Sequence, residues 1–128
     1  MEQSRQKDVL VADDNVIIGK VIPRTLQSVG HCVDVVEDGK SALDALCERH
    51  YDLAILNLQM PLLGGLQVVQ KFRANGGGIP IVVLTADPSV ETIHECELAG
   101  VNTCLSKPVS AHHLLSIVSA LMGLDSNN

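Results

Sequence analysis

The sequence is poor in aromatic residues, in paired cysteines and in basic charge. Its 128 residues include no Trp, one Tyr (Tyr51) and one Phe (Phe72), so the core of a globular domain must be aliphatic. The four cysteines form no C-x-x-C pair, which argues against zinc or a disulfide framework and indicates reduced thiols in a cytosolic protein. A net charge of −6 argues against a nucleic-acid surface, since phosphate backbones require a basic patch.

Long apolar runs are also missing from the sequence. No stretch approaches the ~20 apolar residues of a membrane span, and residues 1–8 have no signal-peptide core. We therefore expect a cytoplasmic protein that contacts neither a membrane nor nucleic acid directly. Apolar residues make up 46% of the chain and charged residues 19%, which is typical of a globular protein. Because no repeat or linker is present, we predict a single domain over residues 1–128, with a core at about 8–123 and short polar tails.

Strand and helix patterns alternate five times along the chain. Short apolar runs predict strands at residues 9–12, 32–36, 53–56, 81–84 and 103–106. Apolar residues at helical spacing predict helices within residues 18–29, 39–49, 65–72, 90–99 and 114–122. The first helix should place Ile18, Ile22 and Val29 on its inward face. Pro23 should bend this helix near Gly19, because its ring clashes with the carbonyl four residues earlier.

Five successive strand–helix units predict right-handed crossovers and a parallel sheet. We expect an α/β domain of the flavodoxin-like, doubly wound type, with helices on both faces of a five-stranded sheet in the order 2-1-3-4-5. This order places the carboxyl ends of strands 1 and 3 side by side at the switch point, where ligands collect in such sheets.

Polar residues follow the predicted strands at that edge of the sheet. Asp13 and Asp14 follow the first strand, Asn57 the third, Thr85 the fourth and Lys107 the fifth. Two adjacent carboxylates repel each other, and a hard divalent cation or a lysine relieves that repulsion. An ammonium and a hydroxyl are donors suited to phosphoryl oxygens. The set is therefore typical of a site that stabilises charge during phosphoryl transfer.

These motifs resemble, in order and spacing, those of response-regulator receiver domains of two-component phosphorelays. The resemblance covers residues 8–122, and its motifs lie at 11–15, 52–61, Gly65, 84–86 and 107–108. It implies that Asp13 and Asp14 hold Mg²⁺ with help from the Gln59 backbone carbonyl. It also implies that Thr85 is the switch hydroxyl and that Lys107 pairs with the phosphoryl group.

The resemblance also implies how such a domain communicates. It would act as a signalling domain by protein–protein contacts, not as an enzyme, and would exist as a monomer or weak dimer. A histidine kinase or a phosphotransfer protein would be its upstream partner. An output domain or partner would contact the face formed by the fourth helix, the fifth strand and the fifth helix. The match is particularly close to receivers that belong to, or work with, hybrid histidine kinases.

Two positions depart from the family pattern. The family's phosphoacceptor is an Asp, and this chain has Asn57, whose carboxamide is not a useful nucleophile toward phosphorus. We therefore expect no acyl phosphate at this position and only weak Mg²⁺ binding, since one carboxylate ligand is lost. Cys104 stands where the family usually has an aromatic switch residue, so the aromatic readout should be absent or reduced. We expect Cys104 to fill the core and not to sense redox state, because no basic neighbour is evident in sequence.

Several alternatives stay open at this point. Asn57 fits either a natural pseudo-receiver or a substitution made to block phosphorylation, and we favour the second. A flavin- or nucleotide-binding module of the same fold would need a Ser/Thr/Gly phosphate loop after strand 1 and aromatics to stack a ring. A Mg²⁺-dependent phosphatase would typically have D-x-D after strand 1, where this chain has D-D-N. Taken singly, Asp13 and Asp14 would also suit the N-terminus of a helix.

Overall fold

The computed structural model describes residues 7–15 and 20–123 of the chain. Within these residues, five strands alternate with five helices. The strands are β1 (Asp8–Ala12), β2 (Cys32–Val36), β3 (Leu53–Asn57), β4 (Ile81–Thr85) and β5 (Thr103–Ser106). The helices are α1 (Val21–Gln27), α2 (Gly39–Glu48), α3 (Gly65–Ala74), α4 (Val90–Ala99) and α5 (Ala111–Leu121).

All strand pairs are parallel, and the sheet order is β2-β1-β3-β4-β5. The predicted flavodoxin-like α/β fold and its strand order are therefore confirmed. β3 lies at the centre of the sheet, and its residues from Leu53 to Leu56 are buried. This explains their unbroken apolar run, because helices cover both faces of a parallel sheet.

Alternate residues of each strand supply two separate cores. Toward one face, Leu10, Leu56 and Val83 pack with side chains of α2, α3 and α4. Toward the other face, Val11 and Ile55 pack with side chains of α1 and α5. Successive strand side chains point to opposite faces, so the doubly wound arrangement follows directly from this alternation. With aromatic side chains nearly absent, aliphatic residues fill both layers.

The first helix differs from its prediction. The expected inward Val29 is 52% exposed, because α1 ends at Gln27 and the chain turns before it reaches Val29. Pro23 lies in the first turn of α1, where its missing N–H has no intrahelical acceptor to lose. Ile18 and the bend expected near Gly19 lie outside the described residues.

The helix α4 is thinly anchored to the sheet. Its buried residues are Cys96 and Ala99, while Val90 and Leu98 are more than 70% exposed. Ser89 caps its N-terminus through the backbone N–H of Thr92. In the part of the chain that the structure describes, no helix has the length and apolarity needed to cross a bilayer.

Candidate functional site

The predicted site residues come together at the carboxyl edge of the sheet. Because β1 and β3 are neighbours, with Ala12 paired to Leu56, the loops that follow these two strands face each other. Between them and the loop after β4 lies a cleft of about 370 Å³. Its lining residues are Asp14, Asn57, Leu58, Gln59, Thr85, Ala86, Asp87 and Lys107. Of the six predicted residues, only Asp13 lies outside this lining.

Asp13 lies beneath the cleft with 3% of its surface exposed. Its Oδ1 accepts a hydrogen bond from the backbone N–H of Asn15 at 2.9 Å. Its Oδ2 is buried, has no hydrogen-bond partner among the described residues, and lies 3.8 Å from Nζ of Lys107. A buried carboxylate oxygen requires compensation. The ammonium of Lys107, whose side chain is three-quarters buried, is positioned to supply it.

The Asn57 side chain bridges the loops after β1 and β3. Its amide nitrogen Nδ2 donates to Oδ1 of Asp14 at 3.2 Å and to the backbone carbonyl of Gln59 at 2.8 Å. An amide nitrogen carries two N–H donors and no acceptor. Both donors of Asn57 are therefore directed to oxygens of this cleft.

Thr85 is buried at the end of β4, with 3% of its surface exposed. Its hydroxyl accepts a hydrogen bond from the backbone N–H of Asp87 at 2.9 Å and lies 3.2 Å from the Asp87 carbonyl, to which it donates. The hydroxyl is thus held by the loop after β4. The backbone N–H of Lys107 donates to the Thr85 carbonyl at 2.8 Å, which places Lys107 beside Thr85, and the Lys107–Pro108 peptide is cis.

The start of α3 packs directly against the strand that carries Asn57. A Cβ added to Gly65 would lie 2.6 Å from the Asn57 carbonyl oxygen, closer than real Cβ contacts occur. The Gly65 N–H donates to the Leu58 carbonyl at 2.7 Å. Glycine at this position therefore permits the close approach of helix and strand that fixes the loop after β3.

Three groups at the cleft have the chemistry of ligands for a divalent cation. Asp13, Asp14 and the Gln59 carbonyl offer hard oxygens of the kind that Mg²⁺ prefers. Two of these oxygen donors, however, already accept hydrogen bonds from the Asn57 amide. A bound Mg²⁺ would therefore have to compete with the Asn57 amide for both oxygens. Among the described residues, no group of three or more His, Cys, Asp or Glu side chains could hold a metal.

Cys104 in β5 is partly buried, and its Sγ lies 3.7 Å from Sγ of Cys96 in α4. Burial, followed by the hydrogen bond with Cys104, raises the pKa of the Cys96 thiol to about 12. Sequence reasoning missed this contact, since no spacing rule relates a helix residue to the strand after it. It also missed the bonding of Thr85 by Asp87, because that bonding uses the backbone N–H and carbonyl of Asp87, which no side-chain pattern reveals.

Comparison with known proteins gives a consistent result. The chain matches the family model described as the response regulator receiver domain over residues 9–119. It is 39% identical over 121 residues to the sensory/regulatory protein RpfC of Xanthomonas campestris pv. campestris, covering 91% of this chain and 17% of RpfC. The chain thus spans less than a fifth of that relative.

Solved receiver domains have the same fold. The Francisella response regulator 1452 receiver domain superposes with a TM-score of 0.88 and 30% identity, covering 92% of this chain and 98% of that domain. The receiver domain of the Pseudomonas aeruginosa sensor histidine kinase PA1611 superposes with a TM-score of 0.85 and 31% identity, with the same coverage of both chains. That structure has a magnesium ion coordinated in its active-site cleft.

Proposed function

The chain belongs to the response regulator receiver domain family, and from this we propose that it is a two-component receiver module in which Asn57 stands at the phosphoacceptor position. Such a module signals by protein contacts and is not phosphorylated at residue 57. One observation carries the proposal. The Asn57 amide lies in the cleft lined by Asp14, Thr85 and Lys107, and its two donors bind Asp14 and the Gln59 carbonyl.

The chemistry of a carboxamide accounts for the loss of phosphoryl uptake. An acyl phosphate forms when a carboxylate oxygen attacks phosphorus, and that oxygen carries negative charge. The amide oxygen of Asn57 is neutral, and the amide nitrogen lone pair is delocalised into the carbonyl. Neither atom is therefore an effective nucleophile.

The remaining members of the site, Thr85 and Lys107, are held by partners other than residue 57. Lys107 faces the buried Oδ2 of Asp13, and the Thr85 hydroxyl is held by Asp87. We assign Thr85 and Lys107 to the switch and phosphoryl-pairing roles that the family resemblance implies. In this chain their observed partners hold them in one resting arrangement.

Mg²⁺ binding by this chain should be weak. Asp13, Asp14 and the Gln59 carbonyl are the groups that would hold the ion, and Mg²⁺ in a receiver supplies positive charge opposite a phosphoryl group. To bind here, the ion would have to displace two Asn57 hydrogen bonds, each worth about 0.5–1.5 kcal/mol net, or more toward the Asp14 carboxylate. A loss of about 2 kcal/mol corresponds to roughly 30-fold weaker affinity.

The family and the relatives guide the choice of partner. RpfC is named as a sensory/regulatory protein and PA1611 as a sensor histidine kinase. We therefore propose that this receiver works in the cytoplasm with a histidine kinase or phosphotransfer protein, as part of a hybrid kinase or beside one. Its proposed partner face is formed by α4, β5 and α5, where Val90 and Leu98 of α4 are exposed. Among the described residues, no aromatic side chain lines the cleft, so a flavin- or nucleotide-binding function is not favoured.

Phosphoryl uptake from a small-molecule phosphodonor with Mg²⁺ tests the proposal. The chain should gain no phosphate-sized mass, whereas Asn57→Asp should gain one that peptide mapping assigns to residue 57. Asn75→Asp serves as the matched control, because it makes the same change at the exposed end of α3 and should gain none. Uptake by the Asn57 chain at residue 57, or no uptake by Asn57→Asp, would contradict the proposal.

A further inference from the structure

Two thiols outside the cleft meet beneath α4. Cys96 lies on the inner side of α4 with 1% exposure, and Cys104 lies partly exposed in the edge strand β5. Their sulfur atoms are 3.7 Å apart, and the Cys96 thiol donates a hydrogen bond to the Cys104 sulfur. The chain reverses between them at Gly100, whose left-handed φ of 99° ends α4. This reversal brings both side chains to the same face of the sheet, where they pack in one apolar cluster.

The contact with Cys96 changes the expectation that Cys104 only fills the core. We propose that Cys96 and Cys104 are a hydroperoxide-sensitive dithiol site that closes to an intramolecular disulfide between α4 and β5. A disulfide needs a sulfur–sulfur distance of about 2.05 Å, so the two atoms must approach by roughly 1.7 Å from the observed 3.7 Å. Because α4 has few buried residues, this movement should require little free energy. Only Cys96 and Ala99 of the helix are buried, so a small shift of α4 disturbs few contacts.

Exposure assigns the order of the two thiols. Cys104 is the more accessible, so its thiolate attacks the hydroperoxide oxygen, breaks the O–O bond and releases an alcohol, or water when the oxidant is hydrogen peroxide. The product is a Cys104 sulfenic acid beside Cys96. The Cys96 sulfur then attacks the Cys104 sulfur, the S–O bond breaks, and the thiol proton leaves with the hydroxide as water. Overall, two thiols and one hydroperoxide give a disulfide, an alcohol and water.

The burial of Cys96 makes it the resolving thiol and not the first to react. Its pKa is raised to about 12 by burial and by the contact with Cys104, so little thiolate is present near neutral pH. A sulfenic acid formed at Cys104 would nevertheless have this sulfur as a direct neighbour. We therefore expect slow but selective closure, with Cys96 as the only partner.

A disulfide here would change the proposed partner face without involving Asn57. It would tie the thinly packed α4 to β5, three residues before Lys107. Motion of α4 against the sheet would then be restricted until a dithiol reductant reopened the bond. The dithiol site thus gives this face an oxidation-dependent state that needs no phosphoryl group.

Intact-mass measurement after treatment of the purified monomer with dilute hydrogen peroxide tests the proposal. The expected result is a loss of two hydrogen atoms, a Cys96–Cys104 cross-linked peptide, and full reversal by dithiothreitol. Cys96→Ala and Cys104→Ala should each abolish the cross-link. Cys47→Ala, which removes an exposed thiol elsewhere, should leave it unchanged. Stepwise oxygen addition at Cys104 without a cross-link, a link to another cysteine, or no reaction would each overturn the proposal.

Hydrogen exchange supplies a second readout on the unmodified sequence. The oxidised chain should show slower amide exchange in α4 than the reduced chain, and dithiothreitol should restore the original rates. Exchange in α2, which packs mainly against α3 and β1, should be the same in both forms. Unchanged exchange in α4 of a chain shown to carry the disulfide would contradict the proposed restriction of the helix.

Discussion

Replacing Asn57 by Asp should destabilise the metal-free domain. Nδ2 of Asn57 lies 3.2 Å from Oδ1 of Asp14 and 2.8 Å from the Gln59 carbonyl. The substitution Asn57→Asp removes both hydrogen bonds, worth about 0.5–1.5 kcal/mol each, and turns a donor into an anion facing two acceptors. Two unit charges ~4 Å apart repel by about 4 kcal/mol at an effective dielectric constant of ~20, and the exposure of Asp14 reduces this by solvent screening.

The net loss should be roughly 2–4 kcal/mol at neutral pH and low salt. For a domain of this size, about 4 °C of melting temperature corresponds to each kcal/mol, so the midpoint should fall by roughly 8–16 °C. Mg²⁺ should reverse most of this fall in Asn57→Asp, because a ligand at a hundredfold excess over its dissociation constant adds about 2.7 kcal/mol. The parent chain should respond much less to Mg²⁺.

Thermal melting with a chelator and again with Mg²⁺ provides the assay. Asn75→Asp is the matched control, and a carboxylate at the C-terminus of α3 should cost no more than about 1 kcal/mol and show no Mg²⁺ response. An Asn57→Asp domain that is as stable as the parent in chelator would refute the assignment of both hydrogen bonds. So would a parent chain that gains as much stability from Mg²⁺ as Asn57→Asp does.

Two further predictions concern the surroundings of the site and the opposite end of the sheet. Gly65→Ala should destabilise the domain by about 1–3 kcal/mol in urea unfolding, because its Cβ would lie 2.6 Å from the backbone oxygen of Asn57. Gly64→Ala, whose Cβ would lie 3.5 Å from its nearest neighbour, should be tolerated, and equal losses would contradict this packing. Burial lowers the pKa of His31 below 6.5, and the charge of Lys7 adds a smaller contribution in the same direction. The neutral His31 side chain therefore contributes its full stabilisation above pH 6.5. That stabilisation is lost as the pH falls through the lower pKa of the folded state. His31→Gln should therefore flatten the loss of unfolding free energy below pH 6.5, and an unchanged slope would show that His31 does not titrate with unfolding.

The fold could be predicted from local pattern because its three inner strands, β1, β3 and β4, are buried on both faces. The unbroken apolar run at residues 53–56 became the central strand, and α4 extends over residues 90–99 as its pattern indicated. The limits of α1 were less predictable, since the apolar spacing that continues to Val29 does not show where the backbone leaves the helix. Tertiary packing decides that boundary, and the sequence period alone does not.

The site could be predicted in its residues but not in its contacts. Strand order alone brings the loops after β1 and β3 together, so Asp14 and Asn57 were expected to be neighbours. The direction of the Asn57 amide depends on which oxygens surround it, and those include the backbone carbonyl of Gln59, which no side-chain pattern reveals. The meeting of Cys96 and Cys104 likewise depends on how α4 is rotated against β5.

The side-chain amide of Asn57 offers the most direct test that this residue occupies the acceptor position as a hydrogen-bond donor. In ¹⁵N NMR spectra, its two N–H signals can be identified by their disappearance in Asn57→Asp. Both protons should exchange slowly with solvent, and one should show coupling through the hydrogen bond to the Gln59 carbonyl carbon. Neither signal should shift when Mg²⁺ at moderate concentration is added with a phosphodonor. Fast exchange like that of an exposed asparagine, or large shifts on addition of Mg²⁺ at low concentration, would contradict this position for the amide.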